Sequence, residues 1–349
     1  MVKIFADSTL DLPQETIKKF NIGIVPVKVL SGGKEVESSS DLFKRLKRGE
    51  ELTTAQPSPK QFLDAFMEAE DTELVALTLS KNISGAYQSA LVAQRIANGK
   101  GKDVTVIDSK SVSVGLGLIA LNAAIKAKEG IPKADLLRLI TELTGETRLI
   151  VFAETFKYGL KSGRIAPLAR MLAEHEKEKM ADSPLEKEKP KGWRAFLAKG
   201  GDISFERRAL AKLADLNLED LEKKLKKVEK IASMLELLRI RVLAQIKGGH
   251  VTGGGATIGS RKGIKKIVKY LNKDLDELRS MKKEENIPLS MVVAHSSAQD
   301  RLEELKGKLS GCNCQKLIET QVGPVLGMFT GPGAILLAYC PMIENPEGD

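Results

Sequence analysis

The chain has 349 residues, of which 42% are hydrophobic and 29% charged, a balance that fits folded globular domains and excludes wholesale disorder. A formal net charge of +9 is accompanied by only 4% aromatic residues, which argues against a nucleic-acid partner because single-strand binders pair basic grooves with stacking rings. The length excludes one small core and predicts two α/β domains, residues 1–153 and 154–349.

Met1 to Phe5 leads straight into a strand, and no apolar run reaches transmembrane length, so a cytoplasmic protein without stable membrane insertion is expected. The cysteines Cys312, Cys314 and Cys340 are odd in number and lack a second pair at zinc spacing. They predict neither a disulfide framework nor a structural metal.

Up to Ala153, short apolar runs alternate with amphipathic stretches. Val2 to Ala6, Gly23 to Val29, Leu74 to Leu79, Val104 to Ile107 and Leu149 to Ala153 read as strands. Pro13 to Phe20, Pro59 to Glu68, Gly85 to Ile96, Val114 to Lys128 and Lys133 to Leu143 read as helices, with Ser58 before Pro59 a clear N-terminal signal. This alternation predicts a parallel sheet with helices on both faces.

The texture changes between Arg170 and Lys230. Charge-dense runs such as Glu186-Lys187-Glu188-Lys189 give way to Leu213, Leu216, Leu218, Leu221, Leu225 and Val228 at helical spacing. A largely helical insertion at about 170–230 is expected, for which a solvated helical hairpin and a lid are both open readings.

Strand signals return at Ile240 to Ile246, with Gly248-Gly249 predicting a hairpin into His250 and Val251. Gly253-Gly254-Gly255 reads as a flexible turn. Lys262 to Asn272 reads as a basic amphipathic helix, Leu289 to Ala294 as a strand, Gln299 to Leu309 as a helix, and Cys314 to Thr320 and Gly333 to Tyr339 as strands. The expected second domain is therefore mixed α/β.

Small polar residues gather where these strands end, the ligand-binding edge of open α/β sheets. Pro57 stiffens the approach to the helix opened by Ser58 and leaves Thr54 as a donor to a carboxylate or phosphate oxygen. Ser84-Gly85 before a helix serves equally as an anion site or as a cap. Asp7-Ser8-Thr9 fits a turn or cap, and Arg164 after Gly163 offers a planar multi-donor cation or an ordinary surface side chain. Thr330-Gly331-Pro332-Gly333 is dense turn chemistry without Walker spacing. His295 ends a strand, but no nucleophile or carboxylate partner is visible beside it.

Six of these blocks in order resemble the DegV family of bacterial fatty-acid-binding proteins: Phe5-Ala6-Asp7-Ser8-Thr9-Leu10-Asp11-Leu12-Pro13, Thr54-Ala55-Gln56-Pro57-Ser58, Leu79-Ser80-Lys81-Asn82-Ile83-Ser84-Gly85-Ala86-Tyr87, Val106-Ile107-Asp108-Ser109-Lys110, Gly159-Leu160-Lys161-Ser162-Gly163-Arg164-Ile165, and Val322-Gly323-Pro324 followed by Thr330-Gly331-Pro332-Gly333.

The resemblance implies a non-catalytic carrier with no cofactor, which buries a long-chain fatty acid in an apolar tunnel. In some members of the family a separate ATP-dependent kinase subunit phosphorylates the presented carboxylate. It implies Thr54 and Ser84 as carboxylate donors, and Gly85, Arg164, Thr330 and Gly331 as further ligand contacts. Departures from the family pattern are Phe329 in place of a frequent histidine, Ser162 in place of a glycine, and Ile258 in place of an arginine. An enzyme or regulatory subunit acting on a small anionic metabolite, with His295 contributing, is the alternative.

Overall fold

The computed structural model of the chain describes residues 1–155, 158 and 240–342. The expected insertion at about 170–230 and Arg164 lie outside the described residues.

In chain order the first elements are β1 (Lys3–Asp7), a short 3-10 turn (Ser8–Leu10), α1 (Gln14–Lys19), β2 (Gly23–Val25), β3 (Lys28–Ser31), β4 (Lys34–Glu35) and α2 (Ser39–Arg48). They are followed by β5 (Leu52–Ala55), α3 (Pro59–Glu68), β6 (Glu73–Thr78), α4 (Ala86–Asn98), β7 (Asp103–Asp108), α5 (Val114–Lys128), α6 (Lys133–Glu146) and β8 (Arg148–Ala153). The later elements are β9 (Ile240–Lys247), β10 (His250–Ile258), α7 (Ser260–Lys282), β11 (Leu289–His295), α8 (Gln299–Leu309), β12 (Cys314–Gln321), α9 (Pro324–Thr330) and β13 (Ile335–Pro341).

Three sheets organise them: a four-stranded sheet β2-β1-β6-β7, a six-stranded sheet β10-β9-β8-β13-β11-β12, and a small sheet β4-β3-β5. All three pairings of the first sheet are parallel, as the βα alternation requires. The second is mixed, with β11 parallel to β12 and antiparallel to β13.

Five layers result. Phe62 and Phe66 of α3 and Ala90 and Ala93 of α4 pack on Phe5, Leu74 and Val104 at one face of the parallel sheet. A second apolar cluster joins the opposite face to α5 and continues into Leu149, Val292, Leu336 and Ala338 of the mixed sheet. The run Val114 to Leu121 is wholly buried, because α5 has a sheet on each side and needs no polar face. Ile264, Ile267 and Leu271 of α7, with Leu302 and Leu305 of α8, cover the far side of the mixed sheet.

Three expectations change. The run Leu149 to Ala153, read with the parallel strands, instead lies between β9 and β13, because an apolar run records burial on both faces and not its partner strand. The single strand read over Gly23 to Val29 is two strands in two sheets. Gly253-Gly254-Gly255, read as a turn, belongs to β10, where the pairing with β9 shifts register between Gly253 and Ala256, as at a β-bulge.

Candidate functional site

Two hydroxyl-bearing loops meet near the C-terminal ends of the parallel strands. In the first, Thr54 on β5 is registered against Val29 of β3. Gln56-Pro57-Ser58 then leads into α3, where the Ser58 hydroxyl accepts the Gln61 N–H at 3.3 Å and Gln61 Oε1 accepts the Ser58 N–H at 2.9 Å. This reciprocal cap fixes the loop. Thr54 is half-buried, and among the described residues its hydroxyl has no hydrogen-bond partner.

The second loop follows β6. Ser84 Oγ accepts the Ala86 N–H at 3.2 Å, but Gly85 and not Ser84 is the N-cap of α4, which has no side-chain cap; the Ser84 proton has no acceptor among the described residues. Gln56 joins the two loops by accepting the Gly85 N–H at 2.9 Å through Oε1. A Cβ on Gly85 would stand 2.6 Å from that oxygen, so glycine is what lets Gln56 approach. The sequence marked Thr54, Ser84 and Gly85; it did not mark Gln56 as the link between them.

The Thr330–Gly333 turn is different. Thr330 is 5% exposed, and its hydroxyl donates back to the Leu326 carbonyl at 3.2 Å. Gly331 has φ +67, and a Cβ there would lie 2.4 Å from the Tyr158 ring. Its carbonyl accepts the buried Ser296 hydroxyl at 2.8 Å. Gly333 accepts a bond from Arg301 at 2.9 Å, and Arg301 also pairs with Glu154 at 2.5 Å. Glu154 in turn holds Arg241 and the Ser260 hydroxyl. Ser296 and Glu154 went unnoticed because single polar residues at strand ends carry no periodic signal.

The turn is nevertheless tied to the Thr54 side. Val325, Met328 and Phe329 of α9 pack with Val29, Val36, Leu42 and Phe43 of the small sheet and α2. The departure from histidine at Phe329 therefore places an apolar ring in a core. Ahead of α9, the Gly323 N–H donates to Asp11 Oδ1 at 3.0 Å, and the Ser39 hydroxyl donates to the Val322 carbonyl at 2.8 Å.

Two buried carboxylates anchor these connections. Asp7 accepts the Leu79 N–H at 2.6 Å and the Thr9 hydroxyl at 2.5 Å, which makes Asp7-Ser8-Thr9 a scaffold between the ends of β1 and β6. Burial raises its pKa. Asp11, at φ 44, accepts from Gly323 and from the Ser113 hydroxyl. Burial, with a smaller contribution from neighbouring Asp7, pushes its carboxyl up to about 7.

His295 is 6% exposed, and its Nδ1 accepts the Ala298 N–H at 3.0 Å. Burial holds the imidazole below its usual pKa, with Glu319 opposing weakly. The Nδ1 bond thus closes the turn after β11. A cleft of about 540 Å³ lined by Glu142, Glu146, Lys282 and Met342 sits at the end of the mixed sheet opposite the Thr330–Gly333 turn. Among the described residues no group of side chains is arranged to hold a metal ion, and no helix is long and apolar enough to cross a membrane.

A parallel sheet flanked by helices and joined to a mixed sheet defines this chain as an α/β protein. The model of the DegV family, described as uncharacterised proteins, matches residues 1–177 and 196–342. The chain belongs to the DegV family.

A DegV domain-containing protein of Clostridium perfringens is 34% identical over 174 residues, covering 47% of this chain and 61% of the relative. One from Clostridium acetobutylicum is 34% identical over 176 residues, 48% of this chain and 62% of the relative. The chain thus spans about three fifths of the length of the curated relatives it matches. Among solved structures, a Thermus thermophilus DegV family protein described by its fatty-acid binding superposes with TM-score 0.70 at 21% identity over 98% of this chain and 99% of that one. A Eubacterium ventriosum protein described as binding stearic acid gives 0.70 at 18% identity over 98% of each chain. At these identities the likeness is one of fold.

Proposed function

We propose that the chain binds a long-chain fatty acid and presents its carboxylate at the mouth formed by the Thr54 and Ser84 loops. The observation that carries this reading is the half-buried Thr54 hydroxyl with no partner among the described residues, held through Gln56 against Ser84-Gly85. A carboxylate oxygen supplies the missing acceptor for Thr54, and a second oxygen the acceptor for the Ser84 proton, while the acyl chain leaves water for apolar surface. Solved relatives described as fatty-acid binders support the ligand class.

In this reading Gly85 contributes shape, since its N–H is already engaged by Gln56. Thr330 and Gly331 form the wall of the mouth, and Arg164 supplies positive charge to the head group. The protein is a carrier in the cytoplasm, without a cofactor of its own, and a separate kinase subunit is the consumer of the presented carboxylate. The parallel and mixed sheets correspond to two lobes, with the chain crossing between them ahead of β8.

Solvent extraction and mass spectrometry of purified protein test the reading. An acyl chain recovered in about stoichiometric amount supports it, and a clean protein that also fails to displace a fluorescent fatty acid rejects it.

A further inference from the structure

The basic helix singled out in the sequence is not used by the proposed mouth. On α7, Lys262, Lys265, Lys266, Lys269 and Lys273 recur at helical spacing and occupy an arc of about 100°, extending for about 16 Å along the axis. From Ser260 to Lys273 there is no acidic residue. The opposite face is consumed by the core: Ile264, Ile267 and Leu271 are fully buried.

Charge is distributed unevenly along this one helix. In its second half Arg279 pairs with Asp276 at 3.2 Å. In its first half Lys262, Lys265 and Lys269 have no ion-pair partner among the described residues. Lys266 lies 5.9 Å from the centre of the Tyr270 ring, and Lys273 reaches Glu277 at 3.8 Å. The first turn contains no acid, so Lys262 meets the positive end of the helix dipole, where a cation is least favourable. Like charges held side by side, with Lys262, Lys265 and Lys269 lacking an ion-pair partner among the described residues, are the kind of local conflict that a binding surface explains.

We infer that the Lys262–Lys273 stripe docks an acidic protein face. The only exposed large hydrophobic residue described on α7 is Met281, beyond the stripe, so there is no apolar wedge for insertion into a lipid surface. Single-stranded nucleic acid requires stacking rings, and Tyr270 is half-buried alongside Lys266. An acidic helix or strand face matches a straight row of ammonium groups. The inference does not depend on the identity of the ligand in the mouth.

The test uses the full chain and a fluorescent helical peptide with glutamates at every third and fourth position of one face. The variant Lys265→Glu/Lys269→Glu is compared with Lys18→Glu/Lys308→Glu, an equal charge change at exposed lysines elsewhere, after thermal melts show that both fold. The stripe variant is expected to lose at least about tenfold in affinity and the control no more than about twofold, with binding weakening as salt rises. Equal losses in the two variants, absence of peptide binding at low salt, or stripe-dependent binding of phosphatidylglycerol vesicles or single-stranded DNA in place of the peptide overturns the inference.

Discussion

The Thr54–Ser84 loops and the Thr330–Gly333 turn look alike in sequence, both rich in hydroxyls and glycine beside apolar runs, and they differ in how their hydrogen bonds are used. In the turn the Thr330 hydroxyl and the Gly331 and Gly333 carbonyls all have intramolecular partners. In the loops the Thr54 hydroxyl has none among the described residues, and Ser84 only accepts. Composition identifies where polar groups gather; the bookkeeping of donors and acceptors separates hydroxyls still open to a partner from hydroxyls already used within the fold.

The largest expected effect concerns the carboxylate that ties these regions together. Asp11 rises from 3.8 to about 7 on folding, so the folded state holds the proton more tightly than the unfolded chain does. Its stabilising contribution is complete below pH 3.8, is lost as pH climbs toward 7, and stays lost above that. By linkage the loss is about 4 kcal/mol. Denaturant melts from pH 4 to 8 should show stability falling more steeply for the native protein than for Asp11→Asn up to about pH 7, with equal slopes above it; parallel curves throughout would remove Asp11 as the cause.

Next comes the turn itself. Gly331→Val forces a branched side chain into φ +67 and against Tyr158, and should cost about 2–4 kcal/mol of stability. A variant that melts normally but loses ligand would reverse the contrast between the two regions.

Smaller in stability but larger in binding is Ser84→Ala, which removes both the bond to the Ala86 N–H and a proposed donor. It should destabilise by about 1 kcal/mol and weaken fatty-acid binding by about 1–3 kcal/mol, read by melting and by displacement titration. A stability change with unaltered affinity would reduce Ser84 to its bond with Ala86.

The smallest effect is expected for Thr330→Val. Its hydroxyl already serves the Leu326 carbonyl of its own helix, and such back-bonding adds little to helix stability. Isothermal titration should find affinity within about 0.5 kcal/mol of the native protein, and a loss as large as that of Ser84→Ala would make Thr330 a ligand contact after all.

Much of the fold was legible because the chain marks its own boundaries. Ser58 with Pro59 starts α3, and α5 and α8 occupy the spans their apolar patterns predict. What escaped was long-range or weakly patterned. The small sheet has β4 with only Lys34 and Glu35, both exposed, and gives no periodic signal. The α2 helix beside it does have local marks, Ser38 capping Asp41 and Gly49 at φ 76, which read in hindsight as a start and a stop.

The site divides in the same way. Thr54 and Ser84 are visible as hydroxyls near rigid turns, whereas the Gln56–Gly85 bond spans 29 positions of sequence and the Asp11–Gly323 bond spans 312. No local pattern encodes either. Asp11 did leave one trace, an acidic residue between Leu10 and Leu12. Arg164 lies outside the described residues, and its place beside the head group rests on the family motif alone.

The most direct test of the account is a fatty-acid displacement titration of the native protein and Thr54→Val, an exchange of similar shape that removes only the hydroxyl. The account predicts an unchanged melting temperature with affinity weakened by about 1–3 kcal/mol, because among the described residues that hydroxyl has no other partner to lose. Unchanged affinity, or an equal loss of fold stability, would contradict it.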